Sequence, residues 1–295
     1  MEKKRIHIPI MKDIILEHLA IQPTDIVVDG TLGFAGHGQA LASELSKDGV
    51  FIGIDQDTDA LAHSKPLFEP QHNAHIFHAN YSDLSSCLST LELRHFDKCL
   101  LDLGVSSFQF DVAERGFSHR FEAKLDMRMN KEQALSAIDV LNTYDKEQLS
   151  HIFYNYGELR HNKKLVESII EARKQQPIET TNELQRLIKK SYYFYNKRSL
   201  YIKCCSQVFQ AIRIEVNQEF EHLERFLESL VDITIPGSTI AIITFDSLED
   251  KLVKTFVKQS DIFEACEKKV LKASKDERQK NPRSRSAKLR LFQRI

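Results

Sequence analysis

Residues able to do chemistry concentrate in Val28-Asp29-Gly30-Thr31-Leu32-Gly33-Phe34-Ala35-Gly36-His37-Gly38, between the apolar run Ile26-Val27-Val28 and the helix-like Gln39 to Leu45. Strand, tight loop and helix start suit a ligand that the backbone approaches closely, because glycine has no side chain in the way and tolerates positive φ. The helix start adds amides aimed at the ligand. A second apolar run, Val50-Phe51-Ile52-Gly53-Ile54, ends in Asp55, about 20 residues past the loop, where nucleotide-binding folds place the carboxylate that holds ribose hydroxyls. The expected ligand is an adenosine-bearing cofactor. Asp55 also reads as an N-cap for a helix over Thr58 to Ala62.

Other chemistries find less support. None of the twelve histidines stands in H-E-x-x-H or another metal spacing, so no metal is expected, and His37 alone receives a functional reading. The five cysteines (Cys87, Cys99, Cys204, Cys205, Cys266) are an odd set without C-x-x-C, which argues against zinc and against a disulfide framework. Ser247 lies in no G-x-S-x-G elbow. The loop lacks a clean G-x-G-x-x-G and no acid/base pair accompanies it, which disfavours an NAD-dependent dehydrogenase.

The elements that position these residues follow an α/β rhythm. Ile10 to Leu19 reads as an amphipathic helix leading through Gln22-Pro23-Thr24-Asp25 into the first strand. His75 to Asn80 reads as a third strand and Lys98 to Leu103 as a fourth, buried on both faces because it is nearly all apolar. Strands alternating with helices predict a parallel, doubly wound sheet. Between Phe108 and Gln207 the pattern turns helical, over Ala137 to Leu141, Lys146 to Tyr156, Asn162 to Gln175 and Asn182 to Tyr192, with Thr180-Thr181-Asn182 as an N-cap signal. The α/β pattern resumes with one long helix, Phe209 to Leu230, a turn at Pro236-Gly237 and a fifth strand from Ser238 to Phe245. A helix from Leu248 to Gln259 and two edge segments, near Lys269 to Lys272 and Lys288 to Gln293, complete the sheet.

The 295 residues are 42% hydrophobic and 28% charged, a composition that builds a core and excludes wholesale disorder. Lys and Arg (41) balance Asp and Glu (42) to a net charge of -1, so only local clustering could attract nucleic acid. The basic run from Lys268 onward is a candidate phosphate-facing patch or a solvated surface. Met1-Glu2-Lys3-Lys4-Arg5 is charged but no long apolar segment follows, so neither a signal peptide nor a membrane span is expected, and the protein is expected in the cytoplasm.

Several strings beyond the loop are more specific: Leu101-Asp102-Leu103-Gly104-Val105-Ser106-Ser107-Phe108-Gln109, Ala113-Glu114-Arg115-Gly116-Phe117-Ser118, Leu125-Asp126-Met127-Arg128-Met129, Phe209 to Asn217, Ser247 to Lys254, and Asn281-Pro282-Arg283-Ser284-Arg285-Ser286-Ala287. In this order, from His7 to the last strand, they resemble the MraW (RsmH) family of S-adenosylmethionine-dependent methyltransferases. That family modifies the N4 amino group of a cytidine in the decoding region of small-subunit (16S) rRNA. The resemblance implies a Rossmann-like class I methyltransferase domain over 1–107 and 208–295 with an inserted all-helical substrate-recognition domain over 108–207. It places S-adenosylmethionine against Gly33, Ala35, Gly36, His37, Asp55, Tyr81, Asp102 and Gln109. The implied partner is small-subunit rRNA or the assembled small subunit, and the family gives reason to consider a homodimer.

The chain departs from the family pattern at several points. Ala35 stands where glycine is usual, so its methyl is expected where loop and cofactor meet closely. Tyr81 replaces a phenylalanine, Glu122-Ala123-Lys124 an Asp-Gly-Pro, and Asp246 a histidine. Lys203-Cys204-Cys205-Ser206-Gln207-Val208 replaces His-Pro-Ala-Thr-Arg-Thr, and both this change and Asp246 make their neighbourhoods more negative.

Methyl transfer from a sulfonium is an in-line displacement, so the protein mainly holds donor and acceptor collinear. Cytosine N4 is a poor nucleophile, and a group accepting one of its hydrogens localises the lone pair. Asp102 is the catalytic candidate, with Ser106 and Ser107 offering polar groups in the same loop. Asp102 can instead serve the cofactor or cap a turn. Because a structured base must be unstacked to react, the RNA-facing set is Arg115, Asp126, Arg128, Arg213, Asn217, Arg283 and Arg285, guanidinium being suited to phosphate and to stacking. Ordinary salt bridges are the alternative for each, including an Asp126–Arg128 pair. Tyr192-Tyr193-Phe194-Tyr195 reads as core or helix-end packing before a base-stacking platform. A paralogue with another RNA or amine target, and a non-catalytic cofactor-binding or RNA-binding assembly factor, remain the rival functions.

Overall fold

In the computed structural model, which describes residues 9–295, the apolar runs become strands of one eight-stranded sheet. Met1 to Arg5 and His7 lie outside the described residues. The first half of the sheet unit runs α1 (Lys12–Leu19), β1 (Ile26–Asp29), α2 (Gly36–Ala42), β2 (Val50–Asp55), α3 (Thr58–Phe68), β3 (Ala74–His78), α4 (Leu84–Thr90) and β4 (Phe96–Asp102). A helical unit follows: α5 (Ser107–Asp111), α6 (Ala137–Thr143), α7 (Lys146–Asn155), α8 (Lys163–Arg173), α9 (Thr181–Ser191) and α10 (Arg198–Asn217). The sheet unit resumes with α11 (Glu219–Ile233), β5 (Thr234–Thr244), α12 (Ser247–Gln259), β6 (Phe263–Ala265), β7 (Leu271–Lys272), α13 (Lys275–Lys280) and β8 (Lys288–Arg294).

Strand order is β3-β2-β1-β4-β5-β8-β6, with β7 also on β8. The first five strands are parallel, and β8 is antiparallel to β5, β6 and β7. The fold is thus α/β with a doubly wound, mostly parallel sheet. Successive strand residues face opposite sides, so Val27, Phe51, Leu100 and Ala241 pack with Leu19 and Leu41. Their neighbours Val28, Ile52, Leu101 and Ile242 pack with Leu84, Phe226 and Leu230. The chain winds outward from β1 to β3 and returns to β4 on the other flank of β1. That reversal opens the crevice at the carboxyl ends of β1 and β4 where open α/β sheets take ligands. The Gly30 amide donates to the Leu100 carbonyl (2.9 Å) and the Asp102 amide to Thr31 Oγ1 (2.6 Å), tying the two strand ends together.

Four expectations are corrected. The long helix Phe209 to Leu230 is two helices, broken at Gln218, whose φ is +48°. No proline or glycine marks the break. Val208, Ile212 and Val216 bury in the helical core, whereas Leu223, Phe226 and Leu230 bury against the sheet. For the same reason the chain divides into two compact units at Gly104/Val105 and Glu219/Phe220, so the boundary expected at 207/208 falls inside α10. The segment near Lys288 is no edge: β8 lies between β5 and the short β6. Pro236-Gly237 lies inside β5, where pairing with β4 shifts register between Phe96 and Lys98.

Candidate active site

The loop after β1 is held by its own acids. Gly33 has φ +52° and its amide donates to Asp55 Oδ2 at 2.6 Å; Asp55 Oδ1 accepts from the Asp57 amide at 2.8 Å. Asp57, not Asp55, is the N-cap of α3, accepting from the Asp59 amide. Asp55 therefore fastens the glycine loop to the end of β2. Gly38 faces inward: a Cβ there would meet Leu32 Cδ1 at 2.6 Å and Asp29 Oδ2 at 3.2 Å. That glycine serves the packing of α2 on β1.

Three carboxylates stand at the ends of adjacent strands: Asp29 on β1, Asp55 on β2 and Asp102 on β4. Burial pushes Asp29 up to about 8, and the Asp102 and Asp55 charges add to the rise although the Thr31 amide opposes it. Burial raises Asp55 to about 6 against the amides of Asp57 and Gly33, and burial alone raises Asp102 to about 7. Asp29 Oδ2 and Asp102 Oδ1 are buried with no hydrogen-bond partner among the described residues. His37, 8% exposed, holds Nε2 at 3.7 Å from Asp102 Oδ2, an ion pair when the ring is protonated. Carboxylates concentrated this way, with acceptors unmet, call for a cationic ligand bearing donors.

The MraW methylase family model matches residues 4–295. The chain belongs to the MraW methylase family. Curated relatives include the ribosomal RNA small subunit methyltransferase H of Fusobacterium nucleatum, 40% identical over 98% of this chain and 97% of the relative. Proteins of the same name from Deinococcus radiodurans (41% identical, 98% of this chain and 89% of the relative covered) and a Hydrogenobaculum species (45% identical, 90% and 88% covered) are similar over most of their length. The cofactor implied for an MraW methylase, S-adenosylmethionine, carries a sulfonium, an ammonium and ribose hydroxyls. Its ammonium and hydroxyls are donors for carboxylate oxygens at these strand ends, and its positive charge favours their ionised form.

Of the other expected cofactor residues, Gly36 and His37 open α2, and Ala35 is its N-cap residue at φ +64°. The Ala35 side chain is fully buried in the core with Leu32 and Leu41, so its methyl is not exposed toward a ligand. Tyr81 opens a 3-10 turn after β3 and meets Phe226 edge-on, with centroids 5.8 Å apart. Ser106, Ser107 and Gln109 lie in the helical unit. There the Ser106 amide donates to Gln109 Oε1 (2.9 Å) and the Gln109 amide to Ser106 Oγ (3.2 Å), a capping box that starts α5.

Most of the expected RNA-facing set is turned inward. Arg115, 4% exposed, donates through Nη2 to the carbonyls of Arg128 and Met129 and lies over the Phe117 ring. Arg128 pairs with both oxygens of Asp126 at 2.9 and 2.8 Å, which holds Asp126 below its usual range despite burial. Arg213 pairs twice with Glu219. Asn217 is buried, donates to the carbonyls of Met127 and Arg213, and accepts from the Met129 amide. Buried cations and amides need internal partners, and these have them. Arg283 and Arg285 remain exposed. In the basic C-terminal run, Lys288 and Arg290 pair with Asp250 rather than facing phosphate. Asp246 accepts from the Leu248 and Glu249 amides as the N-cap of α12. Asp29 and Thr31 belong to the opening loop string but carry no assigned role in the sequence; the signal for one is an acid ending an apolar strand, where a buried carboxylate needs a purpose.

Proposed function

We propose that this protein uses S-adenosylmethionine to methylate the N4 amino group of a cytidine in the decoding region of small-subunit rRNA. The observation that carries the reading is the trio Asp29, Asp55 and Asp102 at the carboxyl ends of β1, β2 and β4, with buried acceptors left unmet on two of them. S-adenosylmethionine, when bound, supplies an electrophilic methyl group on a sulfonium. Asp55, immobilised by two amides, accepts from ribose hydroxyls. Asp29 holds the cationic end.

Asp102, whose side chain stays 22% exposed, accepts a hydrogen of the target amine, which localises the nitrogen lone pair and fixes its direction. With its proton affinity raised to about 7, the same carboxylate takes the proton that the amine releases. His37, 3.7 Å away, orients Asp102. The proposal extends to the assembled small subunit as the substrate particle, to a homodimer and to a cytoplasmic setting. Among the described residues no helix is long and apolar enough to cross a membrane.

The test incubates the protein with methyl-labelled cofactor and either naked rRNA or small subunits, then maps the modified nucleotide by mass spectrometry. Cofactor binding without methylation of either substrate sinks the proposal, and a modified nucleotide elsewhere points to a paralogue. Asp102→Asn divides the two roles of that carboxylate: lost turnover with unchanged cofactor Kd assigns it to the amine, and a weakened Kd assigns it to the cofactor. If Asp102→Ala preserves cellular function, the protein acts as an assembly factor instead.

A further inference from the structure

The helical unit carries a groove that the active-site argument does not use. It has a volume of about 500 Å³ and is lined by Arg160, His161, Lys163, Lys164, Tyr192 and Tyr193, with Asn162 and Ser191 beneath. Arg160, Lys163 and Lys164 are exposed and have no ion-pair partner among the described residues. From Arg160 to Lys203 the chain holds eleven Lys and Arg against four Asp and Glu, within a protein of net charge -1. This stretch is the strongest local departure from neutrality in the helical unit.

The aromatic string is split between two environments. Tyr192 and Phe194 pack against the helical core, whereas Tyr193 and Tyr195 are 76% and 68% exposed, edge to face at 4.6 Å. Exposed tyrosine rings beside unpaired cations match the pairing of stacking and phosphate contacts that single-stranded nucleic acid requires. Two further features leave the groove short of a partner. The Tyr192 hydroxyl is buried without a hydrogen-bond partner among the described residues. The start of α8 has Lys163 and Lys164 in its first turn, no acid there, and an N-cap residue, Asn162, bonded to Ser150 instead of to the helix amides. Cations at a helix start oppose its dipole unless an anion joins them.

We infer that this groove docks a single-stranded segment of the RNA substrate, phosphates on Arg160, Lys163 and Lys164 and a base on Tyr193. The inference rests on the proposed action on RNA. The test titrates full-length protein with a fluorescent 12-nucleotide single-stranded RNA across a salt series. In the combined variant Arg160→Glu, Lys163→Glu, Lys164→Glu, Kd rises at least about tenfold, and the slope of log K against log salt flattens by about 2, on the order of 0.7 per lost phosphate contact. Its melting temperature stays level or rises, because acids suit a helix start. Tyr193→Ala weakens binding by about tenfold with the salt slope unchanged. In methylation assays both variants raise KM for rRNA and leave kcat and cofactor Kd unchanged.

Unchanged RNA Kd in both variants overturns the docking groove. If RNA Kd is unchanged but retention on assembled small subunits is lost, the groove serves an acidic protein and the inference is likewise overturned. Weakened RNA binding in the variants, together with a wild type that methylates nothing, upholds the groove and fails the proposed reaction.

Discussion

Asn217 shows how a polar residue near a recognised motif can be structural. Its amide group makes three internal hydrogen bonds, two of them to Met127 and Met129 in the loop where Met127 sits at φ +59°. Asn217→Ala leaves buried backbone groups unpaired and is expected to cost about 2–3 kcal/mol of stability, measured by chemical denaturation. Ala35 presents a balance of small effects. A left-handed alanine costs about 1–2 kcal/mol, against which glycine loses a buried methyl worth about 0.8 kcal/mol and about 0.5–1 kcal/mol of chain entropy. Ala35→Gly is therefore expected to change stability by less than about 1 kcal/mol, and calorimetry should find cofactor affinity within about twofold of wild type. A large gain in affinity would show that the methyl meets the ligand after all. That Asp55 and Asp102 close parallel strands was legible, because an apolar run ending in an acid is a local signal. The inward turn of Arg115 and Arg213 was not, because an arginine's partners, Met129 or Glu219, are set by packing.

At the scale of elements, the N-cap signal of Thr180-Thr181-Asn182 held because capping chemistry dictates the boundary, and Asp246, which the sequence presents only as a change of charge, is a cap as well. Thr180 with Glu183 and Asp246 with Glu249 form capping boxes that start α9 and α12. Asp246→Ala is expected to destabilise the protein by about 1 kcal/mol, seen as a lowered denaturation midpoint, while cofactor Kd stays unchanged. A large loss of cofactor affinity would instead give Asp246 a binding role. The break at Gln218 lacked any such signal. Apolar periodicity continues through it, and only the assignment of α10 and α11 to different cores requires the chain to turn there. The place of β8 was hidden for a related reason: strand partners are long-range, and a seven-residue apolar alternation reads alike at an edge or inside.

At the scale of the whole molecule, the buried acids couple protons to folding and to binding. Asp29, Asp55 and Asp102 keep protons up to about 8, 6 and 7, whereas unfolded chains release theirs near 4, from about 3.9 for aspartate. The folded, cofactor-free protein thus binds more protons than the unfolded chain between those limits. Its stability is greatest at the acid end of that window and falls as pH rises through it, which thermal melts across pH 5–8, roughly the span of these titrations, would register. A cationic ligand favours the ionised carboxylates, so cofactor affinity is expected to rise with pH across the same range, by up to about tenfold per unit for each proton released. Titration calorimetry in buffers of different ionisation enthalpy measures that release directly, and Asp29→Asn should reduce it. A pH-independent Kd with no proton release would remove the trio from cofactor binding.

By itself the sequence determined the kind of fold, the glycine loop between strand and helix, and the family, because strand runs, glycine turns and ordered strings are local properties of the chain. Only the tertiary structure decided which charges are buried and paired. It alone separated the rings of Tyr192 and Phe194 from those of Tyr193 and Tyr195, and made Asp29 a member of a carboxylate trio. Burial and partnership depend on residues distant in sequence, and the free energy of a charge depends on both.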